Sequence, residues 1–138
     1  MKKRYAICYV STASANMKKE EINAMFDTWE KTNQELDIKG LLLYAEGNFF
    51  QVLEGEKWII IPLFTKIQKD ERHHNVIQIV GEEMKKGGFD SYICDVVTDA
   101  NKYDRTLFQT YLDTLKGMDQ HTQDVASRMM EVFIETSK

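Results

Sequence analysis

The chain alternates between short apolar segments with strand-like patterning and longer segments with helical spacing. Arg4–Val10 has the pattern of a first strand, in which successive side chains point to opposite faces. Two apolar runs within residues 38–55 flank a turn at Gly47, which predicts a β-hairpin. Val76–Val80 and Tyr92–Val97 have the composition expected of a fourth and a fifth strand.

Helical spacing of apolar residues appears before the hairpin and again at the end of the chain. A first helix is predicted over about residues 18–33, with Asn16 as its N-cap and Asn33 ending its apolar stripe. From about Tyr103 onwards two helices are predicted, with a break at Gly117. The last of them carries a stripe of apolar residues: Val125, Met129, Val132 and Phe133.

A further helix is predicted between Gly55 and about Lys69. It contains Pro62, the only proline of the chain. Proline lacks a backbone N–H and is favoured in the first helical turn. This helix therefore starts either near Ile61 or earlier, with a distorted first turn.

The order of elements is strand, helix, strand, strand, helix, strand, strand and two helices. It predicts an α+β ferredoxin-like sandwich: a mainly antiparallel five-stranded sheet with two helices on one face, plus two C-terminal helices. We expect residues 1–100 to form this domain and residues 101–138 to form a two-helix extension, packed on the domain or in an oligomer contact. In this topology the first and third strands are neighbours, so Tyr9 and Gln51 can meet on the helix-covered face, near Asn33.

Charge and composition narrow the possible partners. The 138 residues carry a net charge of −4 without a basic stripe, which argues against nucleic-acid binding. No apolar run approaches the roughly 20 residues that span a membrane, and the N-terminus lacks a signal-peptide pattern, so we expect a cytoplasmic protein. Cys8 and Cys94 belong to no motif, and we expect both to be buried free thiols.

Gln51 is the unusual member of the hairpin, because it places a primary amide inside an apolar run. It is either a satisfied structural glutamine or a ligand contact. Tyr9, Asn33 and Gln51 are neutral hydrogen-bonding side chains that should converge, and such a set can bind a planar heterocycle with carbonyls and ring nitrogens. Met25 and Ile67, on the apolar faces of the helices, could form the walls of that site.

Other candidate chemistry is weak. His73 and His74 lie next to each other near Asp70, but adjacent residues diverge on a regular element and no other ligand has matching spacing, so we predict no metal site. No phosphate loop or nucleophile motif occurs, so we predict no enzymatic activity. We interpret Trp29 and Trp58 as core or interface aromatics.

At these positions the sequence resembles the BLUF domains, which are blue-light sensors that use FAD. The resemblance covers about residues 4–97 and is nearest to the short, stand-alone members of the family. Four pieces carry it in order: Tyr9 followed by Ser11, Asn33 ahead of the IKGLL segment, the FFQVLEG segment, and Asp70-Glu71-Arg72-His73.

The resemblance implies a flavin held between two helices and the sheet, with FAD as the cofactor and FMN as an alternative. Asn33 would hydrogen-bond the pyrimidine edge of the ring, and Gln51 would bridge Tyr9 and the N5/O4 edge. Family members place further polar contacts around the flavin at positions that correspond here to Lys66, Asp70, Arg72 and His73.

The resemblance also implies a light-driven switch. An electron and then a proton would pass transiently from Tyr9 through Gln51, and the amide would rearrange by rotation, tautomerism or both. The absorption would shift to the red and revert in the dark. On the fifth strand, Tyr92 and Cys94 stand where the family often has tryptophan and methionine, which makes them candidate signalling residues.

Output and rival functions stay open at this point. The expected output is an unknown downstream protein partner or a change in a homo-oligomer. One rival is a non-photochemical ligand-binding module of the same ferredoxin-like fold. Another is a small hydrolase that uses Arg72 and His73.

Overall fold

The computed structural model describes residues 4–14, 18–45, 47–84, 92–96 and 120–136, together with the single positions 106, 109 and 113. Its elements, in chain order, are β1 (Arg4–Ala13), α1 (Lys19–Glu35), β2 (Lys39–Ala45), β3 (Asn48–Glu56), α2 (Lys57–Lys69), β4 (His73–Met84), β5 (Tyr92–Val96) and α3 (Gln120–Thr136).

The strands form a sheet in the order β4-β1-β3-β2-β5. β1 pairs antiparallel with both β3 and β4, and β2 pairs antiparallel with β3. β5 joins the other edge of β2 in the parallel direction. The predicted α+β class with a mainly antiparallel sheet is confirmed.

Strand alternation sends β3 side chains to two different apolar layers. Leu53 packs on one face with Ile22 of α1 and Ile60 of α2. Phe50 packs on the opposite face, where its ring lies 5.9 Å from that of Phe133 in α3. The sheet is therefore covered by α1 and α2 on one side and by α3 on the other.

β1 and β4 extend further than the hydrophobic pattern predicts. The first strand is predicted to end at Val10, yet Ser11 pairs with Phe49 of β3 and Thr12 pairs with His74 of β4. The fourth strand is predicted over Val76–Val80, whereas β4 begins at His73 and ends at Met84. β1 lies between β3 and β4, and β4 is an edge strand paired with β1. Backbone pairing satisfies donors and acceptors whatever the polarity of the side chains, so it extends both strands beyond the local pattern.

The helix starts also differ from some expectations. The N-cap of α1 is Lys18 in an extended conformation, not Asn16, and it makes no side-chain capping bond. α2 begins at Lys57 and contains Pro62 in its interior, which selects the earlier of the two predicted starts. None of the helices in the described ranges has the length and apolarity needed to cross a membrane.

α3 packs on the face of the sheet opposite α1 and α2. Its buried residues are Ala126, Met130 and Phe133, of which Phe133 belongs to the predicted stripe. Val132, a member of that stripe, is 47% exposed. The first predicted C-terminal helix falls almost wholly outside the described residues, apart from helical positions at 106, 109 and 113.

Candidate functional site

A cavity lies between α1, α2 and the sheet. It encloses about 170 Å³, within a cleft of about 720 Å³ that includes its opening to solvent. The cavity brings together apolar rings, aliphatic side chains, two amides and a charged rim. Its lining residues are Tyr9, Trp29, Asn33, Leu42, Phe49, Gln51, Leu53, Leu63, Lys66, Ile67, Asp70, Arg72 and His73.

Tyr9 and Gln51 form the polar centre of the cavity. They are direct partners in the β1–β3 register and are 3% and 5% exposed. The Gln51 Nε2–H donates a hydrogen bond of 2.5 Å to the Tyr9 hydroxyl oxygen. The predicted convergence of these two side chains is confirmed, and it follows from the period-two alternation of paired strands.

The environment of Tyr9 keeps its phenol protonated. Burial raises the pKa of Tyr9 well above its ordinary value, although the hydrogen bond from Gln51 acts in the opposite direction. The ring packs 5.5 Å from Phe64, centroid to centroid. Because its oxygen already accepts from Gln51, the Tyr9 O–H remains a donor that can give up its proton.

Asn33 supplies the second amide. α1 continues beyond it to Glu35, so Asn33 is neither the last helical residue nor a cap. It is 8% exposed and lines the cavity, while its backbone carbonyl accepts from the N–H of Ile38. A buried amide in this position is expected to have a hydrogen-bonding role towards whatever fills the cavity.

The rim of the cavity carries a charged pair stacked on an indole. The single Nε–H of Arg72 is shared between the two carboxylate oxygens of Asp70, at 3.0 and 3.1 Å, and Nη2 of Arg72 donates to the same carboxylate at 2.5 Å. These bonds lower the pKa of Asp70 to about 2, so the carboxylate stays ionised at neutral pH. The guanidinium carbon lies 5.0 Å from the centre of the Trp29 ring.

His73 closes another side of the cavity. Its Nδ1 lies 2.8 Å from the Ser11 hydroxyl and its Nε2 lies 2.5 Å from the Ile67 carbonyl oxygen. Its ring meets Tyr9 and Phe49 edge-on, with centroids 6.3 and 6.2 Å away. His73 is thus tied to β1 and to the end of α2.

Most predicted contact residues line this cavity, but not all. Met25, predicted as a wall residue, is partly buried in α1 and is absent from the lining. Trp29, interpreted from the sequence as a core or interface aromatic, packs against the core and also lines the cavity. Trp29 precedes Asn33 by four residues, so both lie on one face of the helix. This spacing could have indicated from the sequence that Trp29 contributes to the same site as Asn33.

Two further groups of predictions concern signalling and metal binding. The backbone of β5 pairs Cys94 with Leu42, a cavity-lining residue of β2, while the side chains of Tyr92 and Cys94 lie outside the described residues. Their signalling role stays a prediction. Among the described residues, no group of three or more His, Cys, Asp or Glu side chains could hold a metal ion.

An α+β sandwich with a cavity between helices and sheet, lined by apolar side chains and two amides, is typical of a domain that binds a small molecule. The chain belongs to the BLUF family, described as sensors of blue-light using FAD, whose family model matches residues 5–94, more than half of its length. Members of this family are flavin-binding blue-light sensors, and the BLUF domain itself is a sensor module rather than a catalytic one.

Similar proteins carry this domain in different settings. The chain is 37% identical over 73 residues to photoactivated adenylate cyclase subunit beta of Euglena longa, covering 53% of this chain and 8% of that protein. It is 30% identical over 61 residues to the blue light- and temperature-regulated antirepressor BluF of Escherichia coli K12, covering 44% and 15%. The solved BlrP1 BLUF structure matches with a TM-score of 0.73 and 25% identity, covering 96% of this chain and 90% of that one.

Proposed function

We propose that this protein is a blue-light receptor that holds FAD non-covalently in the cavity between α1, α2 and the sheet. The observation that carries the proposal is the buried hydrogen bond between Tyr9 and Gln51 at the cavity wall. This pair of an oxidisable phenol and an uncharged amide is what a reversible light-driven hydrogen-bond switch requires.

The lining fits a flavin ring in shape and chemistry. Leu63 and Ile67 of α2 line the cavity together with Leu42 and Leu53 of the sheet, and these apolar walls suit an aromatic ligand. The amides of Asn33 and Gln51 can match the carbonyl and ring-nitrogen edges that a flavin presents. A bound flavin would supply blue-light absorption and a one-electron acceptor.

The charged rim suits the polar side chain of the cofactor. Lys66 offers a cation, and Arg72 offers N–H groups held in place by Asp70. These groups can contact the ribityl and phosphate portion, which is common to FAD and FMN. FAD is our assignment, because it is the flavin named in the family description.

Tyr9 and Gln51 would carry the switch. With a flavin bound as the acceptor, Tyr9 would give up an electron and then its proton, Gln51 would relay that proton, and both would return to Tyr9 before the amide settles in a rearranged hydrogen-bond pattern. An amide can exchange its donor and acceptor ends without burying a charge, so two arrangements can lie within a few kcal/mol of each other. Such a small difference allows the dark state to recover.

The signal must then leave the flavin domain. We propose that residues 1–100 form the sensor, a five-stranded ferredoxin-like sandwich, and that residues 101–138 form a C-terminal extension that takes part in output. Tyr92 and Cys94 on β5 are the candidate relay residues, and the receiver is an unidentified protein or a second copy of the chain. Size-exclusion profiles in darkness and under blue light separate these two receivers.

Absorption spectroscopy tests the proposal directly. Purified protein should be yellow, and blue light should shift its oxidised-flavin spectrum reversibly to longer wavelength. Tyr9→Phe should retain the flavin, because the ring and its packing remain, and should lose most of the productive photocycle, because no phenolic proton is available. A colourless protein that gains no visible spectrum with added FAD would instead favour a non-photochemical binding module.

A further inference from the structure

The His73 ring has both nitrogens engaged by the protein itself. The Ile67 carbonyl oxygen can only accept, so the hydrogen on this side of the ring must be carried by His73 Nε2. In neutral histidine the other nitrogen is then an acceptor, and the Ser11 hydroxyl donates to Nδ1 across 2.8 Å. No ring N–H is left to point into the cavity.

Ser11 is placed for this contact by strand geometry. It follows Tyr9 by two positions in β1 and therefore shares its face. It is 3% exposed, so its hydroxyl depends on protein partners rather than on bulk water. Because Ser11 pairs with Phe49, it lies at the same level of the sheet as the ring that His73 meets edge-on.

The Ile67 carbonyl belongs to the last turn of α2, where carbonyl oxygens lack helical partners. It also accepts the backbone N–H of Asp70, at 3.1 Å. His73 therefore connects the end of α2, which carries part of the cavity rim, to β1, which carries Tyr9. Without the imidazole this connection between helix end and strand is lost.

We propose that Ser11 is a positioning residue of the cavity: it holds His73 in the orientation in which Nε2–H reaches the Ile67 carbonyl, so that the imidazole forms a wall and a strut to α2 rather than a hydrogen-bond donor to the ligand. The identity of the ligand in this inference rests on the proposed flavin function, whereas the contacts among Ser11, His73 and Ile67 do not depend on it. It assigns the polar contacts with the flavin to the amides, Lys66 and Arg72.

Imidazole nitrogen NMR tests the geometry in protein free of cofactor. In the unaltered protein at mildly alkaline pH, His73, assigned with His73→Phe, should show the Nε2–H tautomer with a slowly exchanging proton. Ser11→Ala should loosen the ring and raise the exchange rate of this proton roughly two- to tenfold, the contribution of one ordinary hydrogen bond. Ser11→Thr should restore the original pattern, and Thr12→Ala, on the opposite face of β1, should leave it unchanged.

Flavin affinity tests whether Ser11 acts through His73. Ser11→Ala alone should raise the flavin Kd roughly three- to tenfold. In the His73→Phe background, which keeps a ring but removes both nitrogens, Ser11→Ala should change Kd by less than about twofold. Equal losses in both backgrounds, or unchanged His73 signals in Ser11→Ala, would overturn the proposal. Failure to bind flavin at all would contradict the proposed function, whereas the NMR signals of the cofactor-free protein would still decide the geometry independently.

Discussion

Gln51→Leu should leave flavin bound and abolish the light-induced red shift. Leucine fills a similar volume on β3, so the cavity and its apolar walls persist. It has neither donor nor acceptor, so the bond to the Tyr9 hydroxyl is lost and no amide remains to relay a proton or to rearrange. Light-minus-dark difference spectra of the purified variant, loaded to the same flavin content as the original protein, measure the effect.

The chain offers a matched control for this variant. Gln78 lies opposite Tyr9 on β4, as Gln51 does on β3, but Gln78 is exposed and is not part of the cavity lining. Gln78→Leu should retain a red shift of normal size. A normal shift in Gln51→Leu would rule out the switch, whereas loss of the shift in both variants would mean that the effect is not specific to the cavity amide.

Gly40→Ala should produce the largest loss of stability among simple substitutions in the sheet. Gly40 has a φ of +144°, and an added Cβ would run into the backbone carbonyl of Val52 on β3. Backbone in a paired strand cannot move aside as a flexible side chain can, so β2 and β3 would have to separate locally. We expect a loss of about 3 kcal/mol or more in the free energy of unfolding, measured by urea denaturation.

Gly47→Ala separates backbone strain from this clash. Gly47 also has a positive φ, +88°, but a Cβ built on it would meet nothing within 4 Å. Its substitution should therefore cost only about 1 kcal/mol, the strain of placing alanine in a left-handed conformation. Similar losses in the two variants would show that the contact with Val52 contributes nothing beyond strain.

The meeting of Tyr9 and Gln51 could be predicted because it needs only two simple features. Strand alternation puts each side chain on a known face, and the order of elements makes β1 and β3 neighbours. The register between these strands then places the two residues directly opposite each other. Asn33 could be added because helical spacing puts it on the buried side of α1.

The role of His73 could not be predicted in this way. Its polar neighbourhood in the sequence indicated a turn, whereas pairing with β1 brings it into β4. Its two hydrogen-bond partners, Ser11 and the Ile67 carbonyl, come from different elements. Only the packing of α2 against the sheet brings those partners together.

For the last helix, α3, the sequence predicts the helix but not which of its faces is buried. Its apolar residues predict an amphipathic helix, but they occupy a band wide enough to allow more than one buried face. The structure buries Ala126 and Met130 and leaves Val132 largely exposed. A small residue such as Ala126 permits close approach of the helix to the sheet. Whether that approach is favourable depends on the shape of the opposing surface, which is formed by Phe50 and its neighbours.

The amino-acid sequence by itself determined the class of fold, the family and the pairing of a phenol with an amide at the centre of the site. These features follow from local periodicity, element order and short motifs, which are properties of neighbouring residues. The tertiary structure alone decided where the strands end, which side of α3 is buried, and how Trp29, Arg72 and His73 enclose the cavity. Those outcomes depend on backbone pairing and packing between residues far apart in the chain, which no local pattern encodes.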